Sequence, residues 1–137
     1  GLIPAIEWYV GEFSRRSDIK FTLHLPKENL NLDSDANTTL YRICQESLTN
    51  IARHSKATKA ISKVYIGSQK LVLTVEDNGR GITAQELDSN RSLGLLGMQE
   101  RAAQKGGKIV IVGKPGVGTA VTTRLPYILQ TSEAGEL

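Results

Sequence analysis

The sequence predicts an α+β domain, a two-layer sandwich in which helices cover one face of a mixed, mostly antiparallel sheet. Alternating segments occur in adjacent pairs joined by short turns, which favours antiparallel pairing. Segments with helical spacing precede and separate these pairs, an arrangement typical of the α+β class. The predicted order is helix, strand, helix, strand, strand, helix, strand, strand.

Three segments have helical spacing. The first covers residues 2–16, with Pro4 in its first turn, where proline is tolerated. The second covers residues 33–55, starts with N-cap candidates, and places Leu40, Cys44, Leu48 and Ile51 on one apolar stripe. The third is entered through Gly94 and Gly97 and stops at the glycine pair 106–107.

Five segments alternate with the period of a strand. They are residues 19–25, 59–67, 70–77, 108–113 and 119–126. Pro26 ends the first, and short glycine-containing turns join the second to the third and the fourth to the fifth. Residues 82–93 are polar without alternation, so we expect an irregular, mobile segment there.

Composition restricts the classes of protein that fit. The chain has 137 residues, 39% of them apolar and 23% charged, which is ordinary for one globular domain. No apolar run reaches the length of a membrane span, and we expect no leader peptide. Because the sequence starts at Gly1, we expect it to be a fragment of a longer protein. Cys44 is the only cysteine, which favours an intracellular, cytoplasmic setting. A net charge of +3 with few aromatic residues suits anionic ligands, and nucleic acid is not expected as a partner.

The stretch VEDNGRGI, residues 75–82, follows the third strand. Asn-Gly after a strand is a strong hairpin signal, and Asp77 would then only cap the turn. The following residues do not alternate, however, which weakens the hairpin interpretation. By period-2 geometry Asp77 shares the apolar face of its strand, where a carboxylate needs hydrogen-bond donors. An adenine amine beside an apolar wall is one such donor.

Two glycines flank the next charged residue of this stretch. Gly79 and Gly81 allow a backbone to approach a ligand closely. We expect the side chain of Arg80 to point to solvent.

Polar residues follow the apolar stripe of the long helix. Arg42, Glu46, Asn50 and His54 are four residues apart and stack along one ridge. A solvated helix face explains them simply. The alternative is functional: an amide oxygen at Asn50 suits Mg²⁺, Glu46 can orient a water or act as a base, and His54 can reach a phosphate.

Two glycine-containing segments remain open to either interpretation. Residues 94–98 lie at a helix entrance, where free N–H groups favour phosphate, but they match neither the P-loop nor the dinucleotide-binding pattern. The turn before Thr119 reads as a hairpin turn, and Thr119 could donate to a phosphate if that turn lies near the pocket. For other residues we expect ordinary places: His24 at the surface, Cys44 in the core, and Trp8 and Tyr9 packing the first helix.

Taken in order, these blocks resemble the ATP-binding domain of bacterial sensor histidine kinases, members of the GHKL superfamily. YRICQESLTNIARHSKA resembles its N box, VEDNGRGI its G1 box, SLGLLGMQERAAQKGGKIVI its G2 box, and GVGTAVTTRLP its closing strand. The resemblance covers residues 19–126 and implies the two-layer Bergerat-type ATP-binding fold for residues 19–127. GLLGMQERA is similar to the subfamily that partners helix-turn-helix response regulators. Residues 1–18 resemble the end of the dimerisation-helix segment, and residues 128–137 read as a polar tail.

The resemblance implies a role for each matching residue. Asn50 would bind Mg²⁺, and Glu46 would polarise the acceptor histidine. Asp77 would accept a hydrogen bond from the adenine amine. Thr119 would lie near Asp77 and the adenine, with a water between them. That placement replaces the phosphate role of Thr119. The other implied ATP-binding residues are Arg53 and His54 near the phosphates, Gly79, Gly81 and Ile82 around the base, and Gly94, Leu95, Leu96, Gly97 and Met98 at the phosphates.

The resemblance also implies an activity, cofactors and partners. The cofactors would be ATP and Mg²⁺, and the partners a dimerisation domain of the same homodimeric kinase and a downstream response regulator. The parent kinase could be anchored in the inner membrane. The chain departs from the family pattern in two ways. Residues 82–93 leave room only for a short lid. Neither His24 nor His54 is followed by an acidic residue, so we expect the phosphoacceptor histidine upstream of Gly1. A GHKL serine kinase of the anti-sigma type and a non-catalytic ATP sensor are the alternatives.

Overall fold

A mixed sheet and a layer of helices make up the fold in the computed structural model, which describes residues 1–89 and 94–128. In chain order the elements are α1 (Leu2–Arg16), β1 (Lys20–His24), α2 (Ser34–Asn50) with a π-helical turn (Ile51–Ser55), β2 (Lys59–Gly67), β3 (Lys70–Asp77), α3 (Ala84–Ser89), α4 (Leu95–Gln104), β4 (Lys108–Lys114) and β5 (Gly118–Pro126). The predicted fold class is confirmed, and each predicted strand agrees with the structure to within one residue at either end. The predicted tail lies outside the described residues from position 129 onward, and so does the stretch 90–93 of the segment expected to be mobile.

The strand order is β1-β2-β3-β5-β4. Among the strands of the described residues, the β1–β2 pair alone is parallel, and the three other pairs are antiparallel. Strand β3 therefore lies at the centre, between β2 and β5. In its register Val75 lies opposite Val121, and Asp77 lies opposite Thr119. The sheet thus brings the last residue of β3 next to a residue near the start of β5, although the two are far apart in sequence.

Helix α2 lies against the inner face of the sheet. Asp33 caps it by accepting a hydrogen bond from the backbone N–H of Ala36 at 2.7 Å. Its stripe of Leu40, Cys44 and Leu48 is buried in the same core as the inward side chains of β3. The predicted helix runs on to Ser55 as expected, but its last turn is π-helical. Such turns are rare and occur frequently at functional sites.

Helix α1 packs into this same core through Leu2, Ile6 and Val10. Tyr9 lies edge-on to Tyr41 of α2, with ring centroids 5.8 Å apart, as its expected packing requires. Trp8, in contrast, is 64% exposed, so the expectation that it packs the helix is wrong. It lies two residues after Ile6, roughly 200° around the helix, and therefore faces away from the core. None of the helices in the described ranges has the length and apolar character needed to cross a membrane.

Helix α3 was not predicted. It begins after Thr83, whose hydroxyl accepts from the N–H of Glu86 while the Glu86 carboxylate accepts from the N–H of Thr83. This reciprocal pair is a capping box, and its pattern Thr-x-x-Glu is visible in the sequence. The helix has no buried residue, so the apolar periodicity that identified the other helices is missing.

Two buried hydroxyl groups on the inner face of the sheet have no hydrogen-bond partner among the described residues, those of Ser62 and Thr123. Replacing Thr123 with valine keeps the shape and removes the unsatisfied group, so we expect the free energy of unfolding to rise by about 1 kcal/mol. Chemical denaturation measures this change. Thr122→Val is the matched control, because Thr122 faces the other side of the same strand. A loss of stability in Thr123→Val alone would show that the hydroxyl does find a partner.

Candidate functional site

A cleft opens between the C-terminal part of α2 and the ends of the central strands. Its empty space, including the part open to solvent, is about 470 Å³. The lining residues are Ser47, Asn50, Ile51, His54, Ser55, Val75, Asp77, Arg80, Gly81, Ile82, Glu86, Leu95, Ile111, Thr119 and Val121. Six aliphatic side chains thus line the cleft together with eight polar or charged ones.

Asp77 lies half-buried in this cleft, beside Val75 on the same face of β3, as the alternation predicted. Burial raises the pKa of its carboxyl, while hydrogen bonds from the backbone N–H groups of Gly79 and Thr119 and the charge of Arg80 act in the opposite direction. The Gly79 bond is 2.7 Å long. The carboxylate is therefore held in one orientation beside apolar walls, where it can accept a hydrogen bond from a ligand.

The loop after β3 packs against neighbouring segments of the protein and does not form a hairpin. The side chain of Asn78 accepts from the N–H groups of Thr58 and Lys59 at 2.9 Å each. A Cβ at Gly79 would overlap the carbonyl oxygen of Ser55, so only glycine fits against the π-helical turn. The rejection of the hairpin is confirmed.

Gly81 has a similar constraint, since its φ is +83° and a Cβ would overlap the carbonyl of Lys114. The protein's own backbone therefore requires both glycines of this stretch. Their role in making room for a base stays a prediction.

The polar ridge of α2 reaches the cleft only in part. Asn50 and His54 both line it. Glu46, one turn earlier, lies outside the lining, and its carboxylate packs against the backbone of Gly94 at the entrance of α4. Arg53 is exposed. The solvated-face interpretation therefore fits Arg42, the exposed first residue of the ridge, whereas Asn50 and His54 face the cleft and their ligand roles stay predictions.

The residues at the entrance of α4 divide into three groups. Leu95 is buried and lines the cleft. Met98 is 2% exposed and belongs to the core, where its sulfur lies 3.8 Å from the hydroxyl of Ser47. Leu96 and Gly97 are exposed, and Gly97 lies inside the helix, whereas the sequence suggested that it forms the entrance. Phosphate contacts by this segment stay a prediction.

Thr119 lines the cleft opposite Asp77, and its hydroxyl accepts from the N–H of Ile82 at 2.8 Å. It therefore fixes the backbone of a second lining residue, in addition to lying near Asp77.

The expectation that Arg80 points to solvent is wrong. Its side chain lines the cleft, and its guanidinium bonds both carboxylate oxygens of Glu86. Hydrogen bonds from Arg80 lower the pKa of Glu86 to about 2. Sequence reasoning missed Glu86 as a lining residue; the capping box with Thr83 was the signal that could have located it.

The side chain considered for a metal in this cleft is the amide of Asn50. No cluster of three or more histidine, cysteine, aspartate or glutamate residues suited to a metal occurs in residues 1–89 and 94–128. Mg²⁺ usually keeps several waters and is held by one or two protein oxygens together with substrate phosphates. The amide oxygen of Asn50 in the cleft fits that pattern.

Comparisons with known proteins point in one direction. Residues 35–128 match the family described as histidine kinase-, DNA gyrase B-, and HSP90-like ATPase. The chain is 32% identical over 134 residues to the signal transduction histidine-protein kinase/phosphatase DegS of Bacillus subtilis, covering 94% of this chain and 35% of that protein. It is 32% identical over 128 residues to the sensor histidine kinase MctS of Rhizobium johnstonii, covering 92% of this chain and 28% of that protein.

A solved structure is similar as well. The mycobacterial sensor histidine kinase MprB superposes with a TM-score of 0.70 at 26% identity, over 90% of this chain and 92% of that one. The chain spans about a third of the length of the curated relatives it matches.

Proposed function

The chain belongs to the family of histidine kinase-, DNA gyrase B-, and HSP90-like ATPases and is related along nearly its whole length to sensor histidine kinases, and we propose that it binds Mg·ATP and supplies the γ-phosphate to a histidine. The observation that carries the proposal is the pairing of Asp77 and Asn50 in one cleft. One supplies an acceptor for a base and the other an oxygen for a metal.

The adenine end of ATP fits the deep part of the cleft. A base enters between Val75, Ile111 and Val121, which give it apolar contacts. Its exocyclic amine donates to the carboxylate of Asp77, which two backbone N–H groups already orient. A guanine carries a carbonyl oxygen at that position, and two acceptors repel each other, so the site selects adenine.

The phosphate end lies toward α2 and the entrance of α4. There Asn50 would hold Mg²⁺ through its amide oxygen, and His54 lies one helical turn further along. The ion would supply neutralisation of phosphate charge. The N-terminus of α4 adds a favourable dipole and free N–H groups.

Transfer of the phosphoryl group breaks the bond to the β-phosphate, releasing ADP, and forms a bond to the unprotonated nitrogen of an imidazole, whose other nitrogen gives up its proton to a carboxylate or to water. In phosphoryl transfer the protein contributes mainly positioning and charge neutralisation. Glu46, whose carboxylate lies against Gly94 at the entrance of α4, would polarise the incoming imidazole.

The phosphoacceptor is not one of the two histidines of this chain. His54 lines the cleft that would hold ATP, and His24 lies on β1, at the edge of the sheet and two strands away from Asp77. We place the acceptor on the dimerisation domain of the whole kinase, a homodimer that passes the phosphoryl group to a helix-turn-helix response regulator. The use of ATP places this domain in the cytoplasm, whether or not the whole kinase is anchored to a membrane.

Titration of the chain with ATP, with and without Mg²⁺, tests nucleotide binding by calorimetry. Mixing it with radiolabelled ATP and a dimerisation domain of a related kinase tests transfer, and an acid-labile, base-stable product identifies phosphohistidine. A serine kinase would give an acid-stable phosphoester on a serine-bearing partner, and a pure sensor would bind without transfer. No Mg²⁺-sensitive binding at all would refute the proposal.

Gly97 gives a test in which stability and binding change in opposite directions. A Cβ at this position meets no atom within 4 Å, and the residue lies in the first turn of α4. Gly97→Ala should raise the free energy of unfolding by about 0.5–1 kcal/mol, yet weaken ATP binding because the methyl group obstructs the phosphates. Gly11→Ala, at an equally open position in α1, should raise stability without affecting ATP. Equal ATP affinity in both variants would show that the phosphates do not lie beside Gly97.

A further inference from the structure

Arg80 joins three segments around the cleft. Its backbone N–H donates to the carbonyl of Ser55 at 2.7 Å, and its carbonyl accepts from the N–H of Gly116, in the β4–β5 turn, at 2.9 Å. Its Nε donates to the carbonyl of His54 at 2.6 Å. The backbone and side chain of one residue thus fix the loop after β3 against the π-helical turn and the β4–β5 turn.

The end of the same side chain holds helix α3. Nη1 lies 2.8 Å from Oε1 of Glu86, and Nη2 lies 2.6 Å from Oε2. Bidentate arginine–carboxylate pairs of this kind are stronger and more specific in geometry than single hydrogen bonds. The two side chains are 36% and 29% exposed, so the pair lies at the mouth of the cleft and not in open solvent.

Glu86 is in turn fixed by its own helix. Its Oε1 also accepts from the N–H and the hydroxyl of Thr83, at 3.0 and 3.1 Å. The residue before Thr83, Ile82, is held by Thr119. The segment from Gly81 to Glu86 is therefore fixed at both ends, and the Arg80–Glu86 pair connects it to the π-helical turn.

We propose that Arg80 and Glu86 are positioning residues for the phosphate end of bound Mg·ATP, an inference that rests on the proposed function. The carbonyl that Arg80 holds belongs to His54, in the turn that directly follows Asn50. Asp77, in contrast, is oriented by the backbone N–H groups of Gly79 and Thr119, and the charge of Arg80, which also acts on this carboxyl, stays in place when only Glu86 is neutralised. Loss of the ion pair should therefore disturb the phosphate end and leave the base site intact.

Glu86→Gln breaks the ion pair and keeps the size of the side chain. We expect its dissociation constant for Mg·ATP to rise about tenfold, which corresponds to roughly 1.4 kcal/mol, while that for adenosine changes by less than about twofold. Calorimetry with both ligands measures this difference. Asp88→Asn removes the same charge from an exposed position of the same helix and should affect neither ligand.

A double-variant cycle assigns the effect to the pair. If Arg80 and Glu86 act together, Arg80→Lys combined with Glu86→Gln weakens Mg·ATP binding no more than the stronger single substitution. Equal weakening of adenosine and Mg·ATP would show general loosening of the cleft and overturn the inference. So would an unchanged Mg·ATP affinity in Glu86→Gln when the unmodified chain binds Mg·ATP. Failure of the unmodified chain to bind Mg·ATP would overturn the proposed function, and this inference with it.

Discussion

Asp77→Asn is expected to weaken ATP binding by about 10- to 100-fold. A hydrogen bond to a charged group contributes roughly 1.5–3 kcal/mol, and every 1.4 kcal/mol changes a dissociation constant tenfold. The asparagine also presents an N–H₂ group where the adenine amine needs an acceptor. Burial disfavours the charged form of this carboxyl and raises its pKa. A neutral asparagine is therefore tolerated at this position, and we expect the domain to remain folded. Calorimetric titration with ATP, together with thermal denaturation, separates the two effects.

Base selectivity gives this substitution a second readout, which a purely structural role would not alter. Inosine triphosphate carries a carbonyl oxygen in place of the amine, so an asparagine N–H₂ can donate to it. The ratio of ATP to inosine triphosphate affinity should therefore fall in Asp77→Asn. Glu76→Gln is the matched control, since Glu76 precedes Asp77 on β3 and its side chain lies near Lys63 on the other face. An unchanged ratio in Asp77→Asn would place the base elsewhere.

Asn50→Ala should remove most of the effect of Mg²⁺ on ATP binding. Loss of even an outer-shell partner typically lowers metal affinity or activity by roughly 10- to 100-fold, and a direct ligand should matter at least as much. Affinity for ATP without Mg²⁺ should change little, because the base site does not include this residue. The measurement is ATP titration across a series of Mg²⁺ concentrations.

Asn37→Ala is the control for this experiment. Asn37 belongs to the first turn of the same helix and lines a different depression, near α1. If Asn50→Ala keeps the Mg²⁺ dependence of the unmodified chain, the metal is held by other groups. Loss of ATP binding even without Mg²⁺ would instead indicate that Asn50 supports the cleft itself.

Local periodicity predicted the parts of the fold that local geometry determines. Successive side chains of a strand alternate strictly between two faces, so the direction of Asp77 followed from its neighbours on β3. The pairing of Asp77 with Thr119 could not be read from any local pattern, since it depends on which strand lies next to β3. The resemblance to a known family supplied that contact before the structure showed it.

The errors have a common physical origin. Arg80 lies in a loop, where no periodicity fixes the direction of a side chain, and its partner Glu86 belongs to a helix without an apolar stripe. The side chain of Met98 is buried by the packing of α4 on α2, which its place in a motif did not indicate. The 3.6-residue periodicity that predicted α2 likewise does not distinguish its π-helical last turn.

Cys44, the single cysteine of the chain, is buried in α2, and burial raises the pKa of its thiol to about 12. Thiolates are the reactive form, so maleimide reagents should leave the native protein unlabelled. A cysteine introduced at an exposed site, such as Asp88 on α3, would then carry a fluorophore without further engineering. Its emission would report whether the rim of the cleft rearranges when nucleotide binds.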